Sequence, residues 1–233
     1  MATENRHKGV VKILLARNDV NPNIADNPYN RTPLLRAAET GQEGVVRMLL
    51  ERNGVNPSDA DKWKQTPLLW AARNGHEGVV RMLLTQKDTN PDKADKWSQT
   101  PLSRAAENGH EDAVGILLER NDVNLNIADT EHGQTPLSLA AMNGHEGVVT
   151  ILLEREDANP DKADKWSQTP LSRAAMNGHE GVVKVLLQRI DLNPNKVDKW
   201  SRTPLLRAAM NGHEGIVRML LERSDANPNE AEN

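Results

Sequence analysis

The stretch Thr169-Pro-Leu-Ser-Arg-Ala-Ala-Met-Asn-Gly-His-Glu-Gly-Val-Val-Lys-Val-Leu-Leu187 decides the fold. Thr169 is a good N-cap residue, Pro170 suits the first helical position, and Gly178 can take the left-handed conformation that ends a helix. Between them Leu171, Ala174 and Ala175 fall at i, i+3 and i+4, one apolar face of a short helix A whose alanines let a neighbouring helix approach closely. Val182, Val183, Leu186 and Leu187 form the inner face of helix B. The polar stretch from Asp191 to Arg202 then leads to the next Thr-Pro, with Asn-Pro and Asp-Lys-Trp-Ser segments that read as turn and finger residues.

Working outward, Thr-Pro-Leu recurs at Thr32, Thr66, Thr100, Thr135, Thr169 and Thr203, in steps of 34, 34, 35, 34 and 34 residues. The block from Ala94 to Ala106 reappears unchanged from Ala163 to Ala175. A fixed period of this length marks a repeat architecture. The boundaries are a partial N-terminal repeat over 1–31, then repeats 32–65, 66–99, 100–134, 135–168, 169–202 and 203–233, all in a single domain.

In phase across the copies stand Thr-Pro-Leu, Ala-Ala, Asn-Gly-His and Val-Val-x-x-Leu-Leu. This pattern resembles the ankyrin repeat family, whose unit is a finger-like turn and two antiparallel helices with a Thr-Pro-Leu-His-x-Ala signature. The resemblance implies an all-α solenoid of stacked helix-turn-helix units with finger loops. There are departures. The signature His is replaced by Leu35, Leu69, Ser103, Ser138, Ser172 or Leu206, and the finger Gly is Lys64, Ser98, Ser167 or Ser201. No glycine closes helix B, where Asn53, Lys87, Asn121, Glu156, Ile190 and Ser224 stand. With its near-identical copies and the phrase from Glu154 to Pro160, the chain also looks like the self-similar ankyrin arrays of fungal NOD-like receptor proteins.

Composition narrows the function. Among 233 residues, 29 Lys and Arg face 33 Asp and Glu, for a net charge of −4, which is not the balance of a protein that lives on nucleic acid. There is no Cys, which excludes disulfide frameworks, thiolate zinc sites and cysteine nucleophiles and suits a reducing, cytoplasmic location. The apolar patch within Met1 to Val20 is too short and too charged for a signal peptide or membrane span, so no membrane partner is expected.

His76, His110, His145, His179 and His213 share one phase, each followed by an acidic residue. They are not expected to bind metal. Stacked helices stand about 8–10 Å apart, whereas metal ligands converge within about 2–2.5 Å of one ion. A role in hydrogen-bonding the turn between helices is expected instead. Ser103, Ser138 and Ser172 lie inside helix A with no nucleophile elbow, and no Gly-rich phosphate loop is present. The chain therefore reads as a non-enzyme without cofactor.

The informative residues are those that vary. At about 100° per residue from Leu171, Arg173 and Met176 fall near 200° and 140°, away from the core alanines. The first outward column is Arg36, Trp70, Arg104, Leu139, Arg173, Arg207, and the second is Glu39, Arg73, Glu107, Met142, Met176, Met210. The ankyrin resemblance implies that this face lines a concave groove. All six aromatic residues avoid the expected core: Trp63, Trp97, Trp166 and Trp200 at one finger position, Tyr29 in the first loop, and Trp70 on the outward face. Trp and Arg are enriched in binding hot spots and Met suits adaptable surfaces. Lateral packing of Met and stacking of the finger indoles are the structural alternatives.

The Asp-Lys pairs at Asp61, Asp95, Asp164 and Asp198 read as a solvated, mutually screening ladder. One inserted residue and the loss of Trp at Asp129 to Gln134 divide the face in two. The C-terminal part, with Leu139, Met142, Met176, Met210, Arg173, Arg207, Trp166 and Trp200, is the expected binding surface for a protein or peptide carrying apolar and acidic residues. Ile216, Val217, Leu220 and Leu221 repeat the interior pattern, so the last repeat is expected to be uncapped, open to longer arrays, fraying or end-to-end self-association. The alternative to natural recognition is an engineered, consensus or ancestral ankyrin scaffold without a ligand of its own.

Overall fold

Each Thr-Pro begins a helix. Thr32, Thr66, Thr100, Thr135, Thr169 and Thr203 accept, through their hydroxyl oxygens, the backbone N–H three residues on at 3.1–3.2 Å. The proline that follows occupies the first turn, where no backbone donor is needed.

The computed structural model describes residues 7–17, 19–26 and 28–227. Among them the elements are helices: α1 (Lys8–Leu15), α2 (Pro33–Glu39), α3 (Glu43–Leu50), α4 (Pro67–Arg73), α5 (Glu77–Leu84), α6 (Pro101–Glu107), α7 (Glu111–Leu118), α8 (Pro136–Asn143), α9 (Glu146–Leu153), α10 (Pro170–Asn177), α11 (Glu180–Leu186), α12 (Pro204–Met210) and α13 (Glu214–Glu222). The fold class is the all-α repeat solenoid of helix-turn-helix units. Two compact units divide the chain, the first over 1–105 and 112–123, the second over 106–111 and 124–233.

In the first unit the core is Leu34, Ala37, Ala38, Val45, Val46 and Leu49 together with their equivalents one repeat later, all at most 2% exposed. In the second unit Leu171, Ala174, Ala175, Val182, Val183 and Leu186 are as well covered. Burying a leucine of this kind contributes about 1.5–3 kcal/mol. No aromatic side chain enters either core.

The A-to-B turn is closed by a glycine and by the next repeat. Gly144 and Gly178 stand at φ 79°, and the imidazoles of His179 and His213 lie against them, where a Cβ would collide. The histidines reach across to the preceding repeat. His76 Nε2 lies 3.1 Å from the Glu39 carbonyl, His145 Nε2 3.0 Å from that of Glu107, and His179 Nε2 2.9 Å from that of Met142. A carbonyl accepts only, so Nε2 carries the hydrogen in each. Asn74 and Asn177 donate to the same carbonyls at 2.8 Å. The turn role expected of the histidines is therefore present, and it ties one repeat to the next.

Helices α1, α9 and α11 end without glycine and are capped by an arginine of the following repeat. Arg52 donates to the Leu15 carbonyl at 2.6 Å, Arg189 to that of Leu153 at 3.0 Å and Arg223 to that of Leu187 at 2.9 Å. Arg189 and Arg223 also clamp the aspartate two residues on, and that hydrogen bond lowers the carboxyl pKa of Asp191 and Asp225 and raises that of the arginine.

Candidate functional site

The fingers are built around aspartates. Asp61, Asp95, Asp164 and Asp198 are 4–7% exposed, so the expected solvated ladder exists only on its lysine side. In each, Oδ1 accepts the backbone N–H groups two and four residues on, as at Trp166 (2.8 Å) and Gln168 (2.9 Å). The aspartate N–H closes the loop on a carbonyl four residues on, at 3.0 Å for Gln168. The turn needs a left-handed residue, and Lys64, Ser98, Ser167 and Ser201 supply it at φ 56–64° where glycine is usual. The aspartate bonds hold these residues in a conformation that costs roughly 1–2 kcal/mol for a side chain with Cβ.

The other carboxylate oxygen faces helix A. Arg104 Nη2 meets Asp95 at 3.0 Å, Arg173 Nε meets Asp164 at 2.9 Å, and Arg207 Nε meets Asp198 at 2.7 Å. These carboxylates have no exposed side-chain surface, and the guanidinium groups retain 10–14%. At Asp198 burial alone would raise the pKa, yet the N–H groups of Arg202 and Trp200 and the Arg207 guanidinium together hold it below the usual carboxylate value. The outward arginines are thus internal locks between finger and helix, not free positive charge. Arg207 itself is buried.

Leu139, expected to point outward, is 2% exposed. It stands in the column whose arginines are covered by their finger aspartates, so this column is a largely covered position and not an open one. Its finger is also different. Asp129 accepts the N–H of Glu131 at 2.9 Å and that of Gln134 at 2.8 Å, with Gly133 at φ 74° as the left-handed residue.

The tryptophans lie beside these locks. Trp166 and Trp200 each carry a guanidinium over the ring, from Arg173 and Arg207, both at 5.3 Å from the centroid. Trp200 is half exposed, and Trp63, Trp70, Trp97 and Trp166 are partly covered. Tyr29 and Trp63 stack at 5.6 Å between centroids, and His132 lies tilted against Trp166 at 5.3 Å. Successive fingers within a unit are also linked through backbone: Lys96 N–H to the Trp63 carbonyl at 2.9 Å in the first, and Lys199 N–H to the Trp166 carbonyl at 3.0 Å in the second. Lys62, Lys96, Lys165 and Lys199 are exposed on the fingers.

The methionine sulfurs have polar neighbours. Gln134 Nε2 is 3.3 Å from Sδ of Met142, and Arg207 Nη1 is 3.6 Å from Sδ of Met176. Both methionines are partly covered, while Met210 is 60% exposed. In the second unit the structure therefore brings Trp166, Trp200, Arg173, Arg207 and Met176 together around two finger locks. The aspartates at their centre were missed by sequence reasoning. The signal available was their constant spacing of nine residues to the outward arginine, in Asp95–Arg104, Asp164–Arg173 and Asp198–Arg207.

Stacked helix pairs with finger loops and aliphatic cores define a class of repeat protein built to present a surface. The family model described as ankyrin repeats (3 copies) matches residues 1–95, 87–164 and 155–232. The chain belongs to the ankyrin repeat family, whose members are generally protein–protein interaction modules and generally not enzymes. A search of curated proteins finds no match to it. No helix among the described residues is long and apolar enough to cross a membrane.

Proposed function

We propose that the chain is a non-enzymatic, cytoplasmic recognition module that binds a protein or peptide through the fingers and the outward face of α8, α10 and α12. Trp166, Trp200, Met142, Met176 and Met210 are the anchors. Arg173, Arg207 and Leu139 hold the surface from beneath. The observation that carries this reading is that Trp166 and Trp200, which the core does not use, lie against the guanidinium groups of the buried Asp164–Arg173 and Asp198–Arg207 locks. Immobilised aromatic side chains give up little rotamer entropy on binding, which favours them as hot spots.

The partner carries apolar residues for the indoles and methionines and acidic residues for Lys165, Lys199 and Arg202, which replace the arginine column as the source of positive charge. Trp63, Trp97 and Trp70 form a second, lesser face on the first unit. The self-similar copies resemble those of fungal NOD-like receptor proteins, and an origin in such an array fits a recognition role.

The test is affinity capture from lysate with the wild type and a variant carrying Trp166, Trp200, Met176 and Met210 all changed to alanine. Arg207 is left in place so that the finger lock survives. Partners captured by the wild type and lost from an equally helical variant support the surface. The identity of Ala94–Ala106 with Ala163–Ala175 favours a second reading, an engineered or ancestral scaffold without natural ligand. Capture of nothing by either protein, or of the same proteins by both, favours that one.

A further inference from the structure

One finger lock in the first unit differs from the others. Asp61 has the same backbone bonds as its equivalents, to Trp63 N–H at 2.9 Å and Gln65 N–H at 3.0 Å. Nine residues on, however, α4 offers Trp70 in place of arginine. The remaining oxygen of this fully buried carboxylate meets only long contacts: Trp70 Nε1 at 3.4 Å and Arg31 Nε at 3.7 Å. Every other Asp-Lys-Trp finger fills that place with a guanidinium at 3.0 Å or closer. Around the gap stand three aromatic rings, with Lys62 Nζ at 4.5 Å from both the Tyr29 and Trp63 centroids and the Arg73 guanidinium carbon at 5.2 Å from that of Trp70. The Arg31 guanidinium carbon is 4.6 Å from the Trp70 centroid, 5.6 Å from Tyr29 and 5.8 Å from Trp63.

Arg31 is a poor fit for the place it fills. It comes from the preceding finger, spends Nη1 on both oxygens of Glu39 at 2.8 and 3.0 Å, and leaves its buried Nε without a hydrogen-bond partner. Repeats 66–99, 100–134 and 169–202 are preceded at the same position by glutamine, in Gln65, Gln99 and Gln168. A planar cation between aromatic faces and a buried carboxylate is the arrangement in which cation–π and ionic attraction add, and guanidinium suits it better than ammonium because it also stacks.

The geometry points to a guanidinium site at Asp61, Tyr29, Trp63 and Trp70: Arg31 is a displaceable internal occupant, and the external ligand is an arginine side chain of a partner. The site is independent of the surface proposed on the second unit. An internal competitor weakens the apparent affinity of an external ligand by the fraction of time it holds the place. Removing Arg31 therefore tightens binding, and refilling the place from α4 abolishes it.

The probe is N-acetyl-arginine amide, with N-acetyl-lysine amide beside it, titrated into the full chain while the Trp70 indole N–H resonance is followed by NMR. Three proteins are compared: wild type, Arg31→Gln, and Arg31→Gln with Trp70→Arg. Glutamine already stands at this position in other repeats, so the variant keeps the finger. The expected result is saturable binding of the arginine probe to Arg31→Gln at least ten-fold tighter than to the wild type, with the lysine probe at least ten-fold weaker. The double variant, followed through its Trp63 indole, shows no saturable shift. Equal binding to Arg31→Gln and the double variant, equal binding of the two probes, or no saturable binding to Arg31→Gln overturns the assignment.

Discussion

The finger at Asp164 and the finger at Asp61 share Asp-Lys-Trp and the same backbone bonds, and they part in what the position nine residues on offers the carboxylate. Arg173 closes the first with a 2.9 Å ion pair; Trp70 leaves the second with contacts of 3.4 and 3.7 Å. One outward residue thus decides whether a buried carboxylate is satisfied from within its own repeat. Leu68, Ala71 and Ala72 beneath one finger and Leu171, Ala174 and Ala175 beneath the other are equally buried, so residues that vary at the outward position change the surface without changing this core.

The largest expected effect separates the two fingers directly. Asp164→Ala removes a turn acceptor and strands Arg173, and should cost about 3–5 kcal/mol, whereas Asp61→Ala loses mainly the turn bonds and should cost about 1–3 kcal/mol. Urea unfolding of the two variants measures both. If Asp61→Ala is the more costly, Arg31 is a tighter partner than its distances indicate.

Acid sharpens the comparison next. The Asp198 carboxyl is held below its ordinary value by three hydrogen-bond donors despite burial. A carboxylate with a depressed folded pKa stabilises the protein above its unfolded value, near pH 4, and that contribution fades as pH falls through the folded pKa. Asp198→Asn should therefore be less stable than wild type at pH 7 and lose less on going to pH 3. Parallel acid limbs for the two proteins would show that Asp198 does not carry this charge linkage.

Smaller effects follow. Closing the open finger with Trp70→Arg on the Arg31→Gln background should restore about 1.5–3 kcal/mol, the worth of a hydrogen bond to a charged group, less the lost packing of the indole, relative to Arg31→Gln alone. Ser167→Gly relieves a left-handed residue and should stabilise by about 0.5–1 kcal/mol, which calorimetry resolves as a raised Tm. Met210→Ala lies on an exposed position and should shift stability by no more than about 0.5 kcal/mol.

The helices were legible because their signals are local. Thr169, Pro170 and Gly178 cap and end α10 by the chemistry of those residue types, and Leu171, Ala174 and Ala175 declare the buried face by spacing alone. The outward face was legible only in part. A helical projection places Leu139 and Arg207 on the outward face, yet both are buried, Arg207 through its lock to the Asp198 finger, which a projection of one helix does not include. Asp164 and Arg173 meet at a separation of nine residues, which is neither a helix nor a strand period, so no periodic signal marks the pair. Its trace was the phase they share in successive copies, and the neighbouring lysine disguised the aspartate as surface.

The most direct measurement is a pair of double-mutant cycles by urea unfolding, one on Asp164→Asn with Arg173→Leu and one on Asp61→Asn with Trp70→Leu. The expected result is a coupling energy of roughly 1.5–3 kcal/mol in the first cycle and below about 0.5 kcal/mol in the second. Equal coupling in the two cycles would contradict the claim that the outward residue alone decides whether a finger is locked.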